Sequence, residues 1–481
     1  MDRRRFLTTS MALGLGLATR AERILASALQ KAEPDTVLLT LNLEGGPDFR
    51  FVFVPPYDEK DPYSAAFWPA QARAHMLTPD DPAGLQARSN EYLRLNAPEY
   101  QYFGIHPYCD WLADKFDQGE VALINNVIAS TNRDHDHSIL ILESANTEAK
   151  PLSHEQSGWG GRLVDRCERN IVSVTHPLRL FCYGPHPSDP LSHDNVRVIS
   201  AERSRDMGLY EFSDYDLPGW QGSRPGQMSR SLSSYYAAKA ASLGEDSPYQ
   251  SVLQREQGQR YYGREMRASL YGQLVGDALD DMPMPKALSD LHTENSINAL
   301  NSLNFGRQLS SIYDVMHTLD RLDANVISAD YTTDKGHGWD HHRLIRSKIE
   351  PALHDVFGKG KGLDTLYKEL GPLADKLVLL VYGEFGRQLV SNGDNGTDHG
   401  AASSMLLIGK SVQGGVYGEL FPEAEVARYG EPSAGIEGRT SYKQVLGRVC
   451  ERMKAGSADE VIPGWRDTIM EEGVDLSKVL G

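Results

Sequence analysis

The chain has 481 residues, enough for about three average domains or for one large α/β domain with insertions. Apolar residues make up 40% of it and charged residues 24%, which excludes the disordered, collagen-like and coiled-coil classes. Because 66 acidic residues stand against 49 Lys and Arg, the formal charge is −17. So acidic a chain is a poor ligand for nucleic acid or for an anionic membrane surface, and we expect neither as a partner.

The first 28 residues have the layout of a secretory signal. Three arginines at positions 3–5 precede a short apolar run over residues 11–18 and a small-residue cleavage site at residues 26–28. The sequence RRRFL at residues 3–7 resembles the twin-arginine motif, an address that an export receptor recognises. The apolar run is shorter than the roughly 20 residues that a membrane span needs, and no later segment is long and apolar enough. We therefore expect a periplasmic or secreted protein that the twin-arginine translocase exports and that has no stable membrane span.

Short apolar runs and amphipathic segments alternate along the rest of the chain. Apolar runs that stop at glycine, proline or polar residues predict buried strands, which are expected at residues 36–43, 121–127, 179–183, 377–382 and 404–408. Helical periodicity predicts helices at residues 108–116, 163–168, 249–281, 300–324, 343–370 and 441–454. This alternation is typical of an α/β fold whose mostly parallel sheet is covered by helices on both faces.

Two segments depart from the alternation. Residues 184–235 are rich in Ser, Pro, Gly and Asp and poor in aliphatic residues, which predicts a loop-rich insertion or lid. Residues 226–330 are predicted to be mostly helical. As a lid, the first segment would cover a site at the strand ends.

Polar residues follow the first two predicted strands, at the edge where open α/β sheets bind ligands. Asp48 follows the first strand and a Gly-Gly turn, so its carboxylate can hold a hard cation. Residues 133–137 (RDHDH) follow the second strand, and an imidazole beside carboxylates binds metal or transfers protons. The structural alternatives are a tight turn at Asp48 and a solvated loop with a helix cap at residues 133–137.

Further polar clusters lie later in the chain. The densest is HGWDHH at residues 337–342, whose Asp and His side chains are ligands for zinc, iron or manganese. Glu384 and Arg387 follow the fourth predicted strand and combine a metal ligand with a guanidinium that suits an oxyanion. Asp398 and His399 add a pair in a glycine-rich loop that lacks the EF-hand spacing. The alternatives are a polar loop before a helix and an internal Glu–Arg ion pair.

The order of these motifs resembles that of the domain-of-unknown-function 1501 (DUF1501) family. The motifs that carry the resemblance are GGPD (45–48), FGIHP (103–107), NRDH (132–135), SGWGGR (157–162), GWDHH (338–342), GEFGR (383–387), GTDHG (396–400) and GGVYG (414–418). The family is placed in the alkaline phosphatase/sulfatase-like superfamily. The resemblance implies a single alkaline phosphatase-like domain over residues 35–481, a three-layer α/β/α fold with a mostly parallel central sheet.

The resemblance also implies a metal site at the carboxyl ends of the strands. Asp48 corresponds to the metal-bound Asp after the first strand, and Asp340 and His342 are the nearest match to an Asp-x-x-x-His pair. A late Asp-His pair of the superfamily is replaced here by Glu384-Phe385, so that a phenylalanine stands where an imidazole is usual. Asp398 and His399 could supply the last histidine.

The position of a nucleophile departs from the superfamily pattern as well. The hydroxyls nearest to the usual place are those of Ser130, Thr131 and Ser138, with His135 between them. The Cys-x-Pro-x-Arg motif of formylglycine sulfatases is absent from the sequence, so an enzyme of that type is not expected.

The first hypothesis is an exported, metal-dependent hydrolase of small-molecule or polymer-borne phosphate or sulfate esters. It would hold one or two divalent ions, of zinc, manganese, iron or calcium. Arg133 and Arg387 would stabilise the oxyanion, and His135 would transfer protons or be a further ligand. The expected metal ligands are Asp48, Asp340, His342, Glu384, Asp398 and His399. The alternatives are a non-catalytic, metal-holding binding or assembly protein of the cell envelope, and a scaffold without metal.

Overall fold

A large β-sheet forms the centre of the structure, a computed structural model that describes residues 33–97, 102–150, 157–175, 177–185, 193–194, 197–202, 204–206, 271–272, 274–276, 278–332 and 338–481. The predicted signal at residues 1–28 lies outside these ranges. The strands are β1 (Val37–Leu43), β2 (Phe53–Val54), β3 (Leu93–Leu95), β4 (Phe103–Ile105), β5 (Val121–Ile128), β6 (Asn170–Ser173), β7 (Gly184–Pro185), β8 (His193–Asp194), β9 (Val198–Ser200), β10 (Ala324–Tyr331), β11 (Leu377–Tyr382), β12 (Ala402–Ile408), β13 (Gly415–Tyr417) and β14 (Thr440–Ser441).

Helices connect these strands and pack on them. The α-helices are α1 (Phe49–Val52), α2 (Pro62–Gln71), α3 (Pro82–Glu91), α4 (Asp110–Asp117), α5 (His135–Ser144), α6 (Trp159–Cys167), α7 (Lys286–Leu291), α8 (Leu303–Met316), α9 (Leu319–Leu322), α10 (Ile345–Phe357), α11 (Gly362–Leu370), α12 (Tyr442–Arg452) and α13 (Ala458–Val461). Short 3-10 helices lie at Pro107–Cys109, Leu180–Cys182, Ser204–Asp206, Gly371–Lys376, Glu423–Glu425, Ala427–Gly430, Trp465–Asp467 and Leu476–Lys478. Within the described ranges, none of the helices has both the length and the apolar character that crossing a bilayer requires.

Among the described residues, the main sheet has nine strands in the order β13-β5-β12-β11-β1-β10-β6-β9, with β14 also paired to β5. Strand β12 is antiparallel to both of its neighbours, β11 and β5. The other pairings are parallel. As a result, the carboxyl ends of β1, β5, β10 and β11 lie at the same edge of the sheet as the amino end of β12.

Alternate residues of the central strands face two separate hydrophobic cores. In β11, Leu379 and Val381 pack into the first core, while Val378 and Leu380 pack into the second. Helices α4, α8, α10 and α11 contribute to the first core, and α5, α6 and α12 contribute to the second. Because both faces are covered by helices, the central strands are buried on both sides and need the nearly continuous apolar runs that the sequence shows.

Most of the predicted strands are present, with three differences. The runs at 36–43, 121–127, 377–382 and 404–408 are confirmed as β1, β5, β11 and part of β12. The sheet is mostly parallel, as predicted, and differs at β12, whose antiparallel direction was not predicted. The predicted strand at 179–183 is wrong, because a 3-10 helix occupies Leu180–Cys182. Strands β6 and β10 were not predicted; β10 begins where the predicted helix at 300–324 ends.

The two unusual segments are described only in part. Of the predicted lid at 184–235, the described ranges are 184–185, 193–194, 197–202 and 204–206. Within them β7 pairs with β8, and β9 adds an edge strand to the main sheet beside β6. In the segment predicted to be mostly helical, 226–330, the described residues form helices α7, α8 and α9 before β10 begins at Ala324.

A buried ionic cluster joins α3, the loop after β4 and α10, on the side of the first core. Arg88 is 3% exposed, and its Nη2 donates to Glu350 Oε1 at 2.9 Å. His106 Nε2 lies 3.3 Å from the same oxygen. Burial alone would raise the pKa of Glu350, but the hydrogen bond from His106 and the charge of Arg88 outweigh it and lower this pKa to about 2. The carboxylate thus stabilises the fold in its ionised form.

We expect Glu350→Gln to lower the free energy of unfolding at pH 7 by about 1–3 kcal/mol, because Arg88 stays buried after losing this carboxylate. Since the pKa of Glu350 in the fold lies below its ordinary value of 4.5, the stabilisation is complete above pH 4.5 and is lost as the pH falls toward 2. Urea denaturation of both proteins at pH 7 and at acidic pH measures the difference. Glu91→Gln is the control, because Glu91 contacts the same Arg88 but is half-exposed. An equal loss at both pH values would contradict the prediction.

Candidate metal centre

The polar residues singled out in the sequence meet at the edge of the sheet where β1, β5, β10 and β11 end. His135 begins α5 shortly after β5, and the connection from β11 to β12 runs along this same edge because β12 is antiparallel. The order of the elements therefore places six predicted residues in loops at one edge. They are Asp48 after β1, His135 after β5, Asp340 and His342 after β10, Glu384 after β11, and His399 before β12.

Three imidazoles surround the carboxylate of Asp340. Asp340 Oδ1 lies 3.1 Å from His342 Nε2 and 3.1 Å from His399 Nε2. Its other oxygen, Oδ2, lies 3.7 Å from His135 Nε2. The two nitrogens His342 Nε2 and His399 Nε2 are 2.8 Å apart, and ligand atoms of His135, Asp340 and His399 all lie within 4.8 Å of one another. These side chains point their donor atoms at one small volume.

The Nδ1 atom of each imidazole faces an oxygen acceptor, on the side of the ring away from Asp340. The three pairs are His135 Nδ1 with Glu384 Oε1 at 2.7 Å, His342 Nδ1 with Asp398 Oδ1 at 2.8 Å, and His399 Nδ1 with the backbone oxygen of Arg133 at 2.8 Å. In the neutral form of such a ring, the Nδ1 that faces the acceptor carries the proton and Nε2 presents a lone pair. This is the arrangement that metal-binding histidines adopt, with the outer oxygen fixing the tautomer and the ring orientation.

The charges around His135 favour a cation at this position. Burial lowers the pKa of His135, but hydrogen bonds with Asp340 and Glu384 outweigh it and raise the pKa to about 9. Burial would raise the pKa of Asp340, yet the hydrogen bonds with His135, His399 and Arg387 hold it well below its usual range. The centre therefore stabilises a positive charge beside an ionised carboxylate.

Arg387 is buried and supports Asp340 from the side of the protein interior. Its guanidinium contacts five oxygens of the protein, which are Gly46 O at 2.8 Å, Thr397 O at 3.0 Å, Trp339 O at 3.0 Å, Asp340 Oδ1 at 2.9 Å and Gly45 O. The sequence suggested that Arg387 stabilises an oxyanion. In the structure all three of its nitrogens already donate to oxygens of the protein, and one of these oxygens is Asp340 Oδ1.

Asp48 and Glu384 have both oxygens engaged within the protein, and Asp398 has Oδ1 engaged by His342 and Asn392. Asp48 Oδ1 accepts from the backbone N–H groups of α1, and Oδ2 accepts from Thr397 Oγ1 at 2.8 Å. Burial raises the pKa of Asp48 against the opposing hydrogen bond from Thr397. Glu384 accepts from Gly45 N at 2.9 Å in addition to His135. The structure thus places these three predicted ligands around the centre, where they orient its loops and imidazoles.

The two histidines of the WDHH motif have different surroundings. His342 faces Asp340, whereas His341 is 2% exposed. Burial, with the charge of Arg387 adding to it, lowers the pKa of His341 to about 3, so this ring stays neutral. Its Nδ1 has no hydrogen-bond partner within the described part of the chain. Only the second histidine of the pair belongs to the group around Asp340.

Phe385 forms an apolar wall of the centre. It is 2% exposed, and its ring centroid lies 4.9 Å from that of His135 and 4.4 Å from that of His399. Gly46 leaves room for this ring, since a Cβ there would lie 2.6 Å from it. The centre is therefore closed by hydrocarbon on the side that faces both His135 and His399.

Sequence reasoning missed Asn392 and left open the role of the hydroxyl groups near His135. The Asn392 side chain donates to Asp398 Oδ1 at 3.0 Å and to His342 O at 2.9 Å, and no spacing rule would have identified it. Ser138 Oγ donates to Asn132 O, and Ser130 Oγ accepts from Asn132 N. These two hydroxyls stabilise the turn before α5.

We expect Gly45→Ala to lower the free energy of unfolding by about 2–4 kcal/mol, because it strains the loop that holds the centre. Gly45 has φ +119°, and a Cβ there would lie 2.3 Å from the backbone nitrogen of Asp340. Gly360→Ala is the matched control, since Gly360 also has a positive φ, +70°, but has open space around it; we expect about 1 kcal/mol there. Equal losses in thermal or urea denaturation would show that the contact with Asp340 is unimportant.

Comparison with known proteins gives a partial match to one family. No curated protein matches the chain. The family model described as "Protein of unknown function (DUF1501)" matches residues 316–428. This stretch holds Asp340, His342 and His399, but His135 lies outside it. Over residues 316–428, the chain is therefore similar to the DUF1501 family that its motifs resemble.

Proposed function

We propose that the protein is an exported, metal-dependent hydrolase of phosphate or sulfate esters with an alkaline phosphatase-like fold. Its centre consists of His135, Asp340, His342 and His399. The observation that carries the proposal is the convergence of three imidazole Nε2 atoms on Asp340, each ring held by an oxygen acceptor at Nδ1. The signal-like first 28 residues support export to the periplasm or beyond.

The donor atoms fit a divalent ion of borderline hardness. The nitrogens His342 Nε2 and His399 Nε2 are 2.8 Å apart. Two imidazole nitrogens that both lack a proton repel each other at this distance, and a cation bound between them removes the repulsion. Three nitrogens and one carboxylate suit zinc, manganese or iron, whereas calcium prefers a shell of oxygens. We therefore favour zinc, manganese or iron over calcium.

A bound divalent ion would polarise the ester and lower the pKa of water. The residues of the chain prepare the site for this chemistry. Glu384 and Asp398 keep the proton on the outer nitrogen of His135 and of His342. Arg133 is exposed at the rim, where its backbone oxygen holds His399 and its side chain donates to Ser433 O at 3.3 Å. Its guanidinium can bind the anionic group of an ester.

A non-catalytic protein that holds the metal for binding or assembly is the second candidate. The observation that favours it concerns the hydroxyls before α5. Ser130 and Ser138 are both hydrogen-bonded to the backbone of Asn132, so neither is presented as a nucleophile. A hydrolase with this site would have to use water directly, and a protein that lacks turnover would leave the same geometry intact.

We expect about one equivalent of zinc, manganese or iron in protein purified after native export, without chelators or a histidine tag. Asp340→Asn should lose the metal, because it removes the carboxylate that the three imidazoles face. Asp398→Asn should bind it about 10–100-fold more weakly, because the oxygen that orients His342 loses its negative charge. Elemental analysis and chelator competition measure both effects.

Asp394→Asn is the control for these variants, since Asp394 lies in the same loop but pairs with the exposed Arg343. Metal absent from the wild-type protein, or retained in full by Asp340→Asn, would contradict the proposed centre.

If the protein is a hydrolase, a panel of phosphate and sulfate monoesters should reveal metal-dependent turnover. Arg133→Ala should raise KM about tenfold with a smaller effect on kcat, the loss expected of one charged hydrogen bond worth about 1.4 kcal/mol. Arg343→Ala should have no effect, because Arg343 is mostly exposed and pairs with Asp394. Bound metal with no turnover on any ester would favour the binding protein.

A further inference from the structure

The guanidinium of Arg387 occupies a cage of oxygens that three loops build. Four of the oxygens are backbone carbonyls and the fifth belongs to Asp340. They come from residues 45–46 after β1, residues 339–340 after β10, and Thr397 before β12. The side chain of Arg387 is 1% exposed, so the positive charge is enclosed by the protein on all sides.

Such a cage has the chemistry of a hard-cation site. Backbone carbonyls and a carboxylate oxygen are the ligands that bind calcium and similar ions in proteins. Gly45 and Gly46, at φ +119° and +75°, direct two successive carbonyls at the guanidinium. This is a conformation that residues with a Cβ rarely adopt. The backbone is thus shaped around a cation, and the chain supplies that cation itself.

We propose that Arg387 is a built-in cation that takes the place of a second metal ion, so that the centre holds one divalent ion. The proposal rests on the metal centre proposed above. Arg387 is a positioning residue in this scheme, because it acts on the ion through Asp340, which its Nη2 contacts at 2.9 Å. Its fixed charge lies beside the carboxylate that the three imidazoles face.

Two described carboxylates beside the centre, those of Asp48 and Glu384, have no unengaged oxygen to offer a second ion. Both oxygens of Asp48 are used, one by the N–H groups of α1 and the other by Thr397. Glu384 is bound by Gly45 N and His135. Phe385 presents only hydrocarbon to His135 and His399. A second ion would therefore have to displace existing hydrogen bonds.

The stoichiometry of binding tests this directly. Metal-free protein is titrated with Zn²⁺ against a competing chelator, for the wild type and for Phe385→His, which adds a nitrogen donor beside His399. We expect one equivalent in both proteins, because Arg387 fills the second position in both. Two equivalents in either protein would overturn this proposal while leaving the metal centre in place. No binding by the wild type would overturn the centre and this proposal together.

Chemical rescue tests the role of Arg387 itself. We expect Arg387→Ala to lose several degrees in Tm and at least tenfold in Zn²⁺ affinity, and millimolar guanidinium, far below denaturing concentrations, to restore part of both. Sodium chloride at the same concentration should restore neither. Arg205→Ala is the control, because Arg205 also donates to a buried carboxylate, that of Asp314 in α8, and to a backbone carbonyl, Met282 O, neither of which belongs to the centre.

The control should lose stability without losing Zn²⁺ affinity. If Arg387→Ala does not fold, Arg387→Lys is measured instead. The lysine keeps the positive charge but cannot reach all five oxygens, so we expect a smaller loss of Zn²⁺ affinity than for alanine. Wild-type Zn²⁺ affinity in either Arg387 variant, or a loss that guanidinium and sodium chloride restore equally, would overturn the proposal.

Discussion

The contact between the Arg387 guanidinium and the Asp340 carboxylate is the interaction on which the centre depends. A buried guanidinium is costly unless its charge is paired and its N–H groups are hydrogen-bonded. Here one carboxylate oxygen supplies the charge, and four carbonyls supply the remaining acceptors. Because those carbonyls belong to the loops after β1, after β10 and before β12, satisfying one side chain fixes three loops relative to one another. Asp340 is placed as a consequence, and the imidazoles can then be arranged around it.

The three imidazoles reach the same orientation by three different means. One ring is held by the buried carboxylate of Glu384, one by the half-exposed carboxylate of Asp398, and one by the backbone oxygen of Arg133. The acceptors differ in charge, since two are carboxylates and one is a backbone carbonyl. His135, which lies between Glu384 and Asp340, has its pKa raised to about 9. The carboxylates thus make a positive charge favourable before any ligand is considered, which is a property expected of a cation site.

The sequence allowed the general position of the site to be predicted, but not the role of each residue. Strands β1 and β11 could be predicted because strands buried on both faces need uninterrupted apolar runs, and the strand-end rule then placed Asp48 and Glu384 at one edge. Strand β10 was missed because its sequence ANVISADY carries Asn, Ser and Asp among its apolar residues. Whether Arg387 faces solvent or carbonyls is decided by loops far apart in the chain. No local pattern could show that its donors are consumed.

The direction of β12, which the sequence did not predict, explains how one connection supplies so much of the site. A parallel β12 would require the chain after β11 to cross to the opposite edge of the sheet before pairing. Because β12 is antiparallel, residues 383–401 remain at the edge where β11 ends. Within this connection Arg387 and His399 form an isolated antiparallel bridge, and Gly400 N donates to Gly386 O at 2.7 Å. This hairpin-like pairing places Arg387 beside His399, with one residue on each side of the turn. Because β12 is antiparallel, the connection at residues 383–401 supplies both Arg387, which supports Asp340, and His399, whose Nε2 faces the same carboxylate.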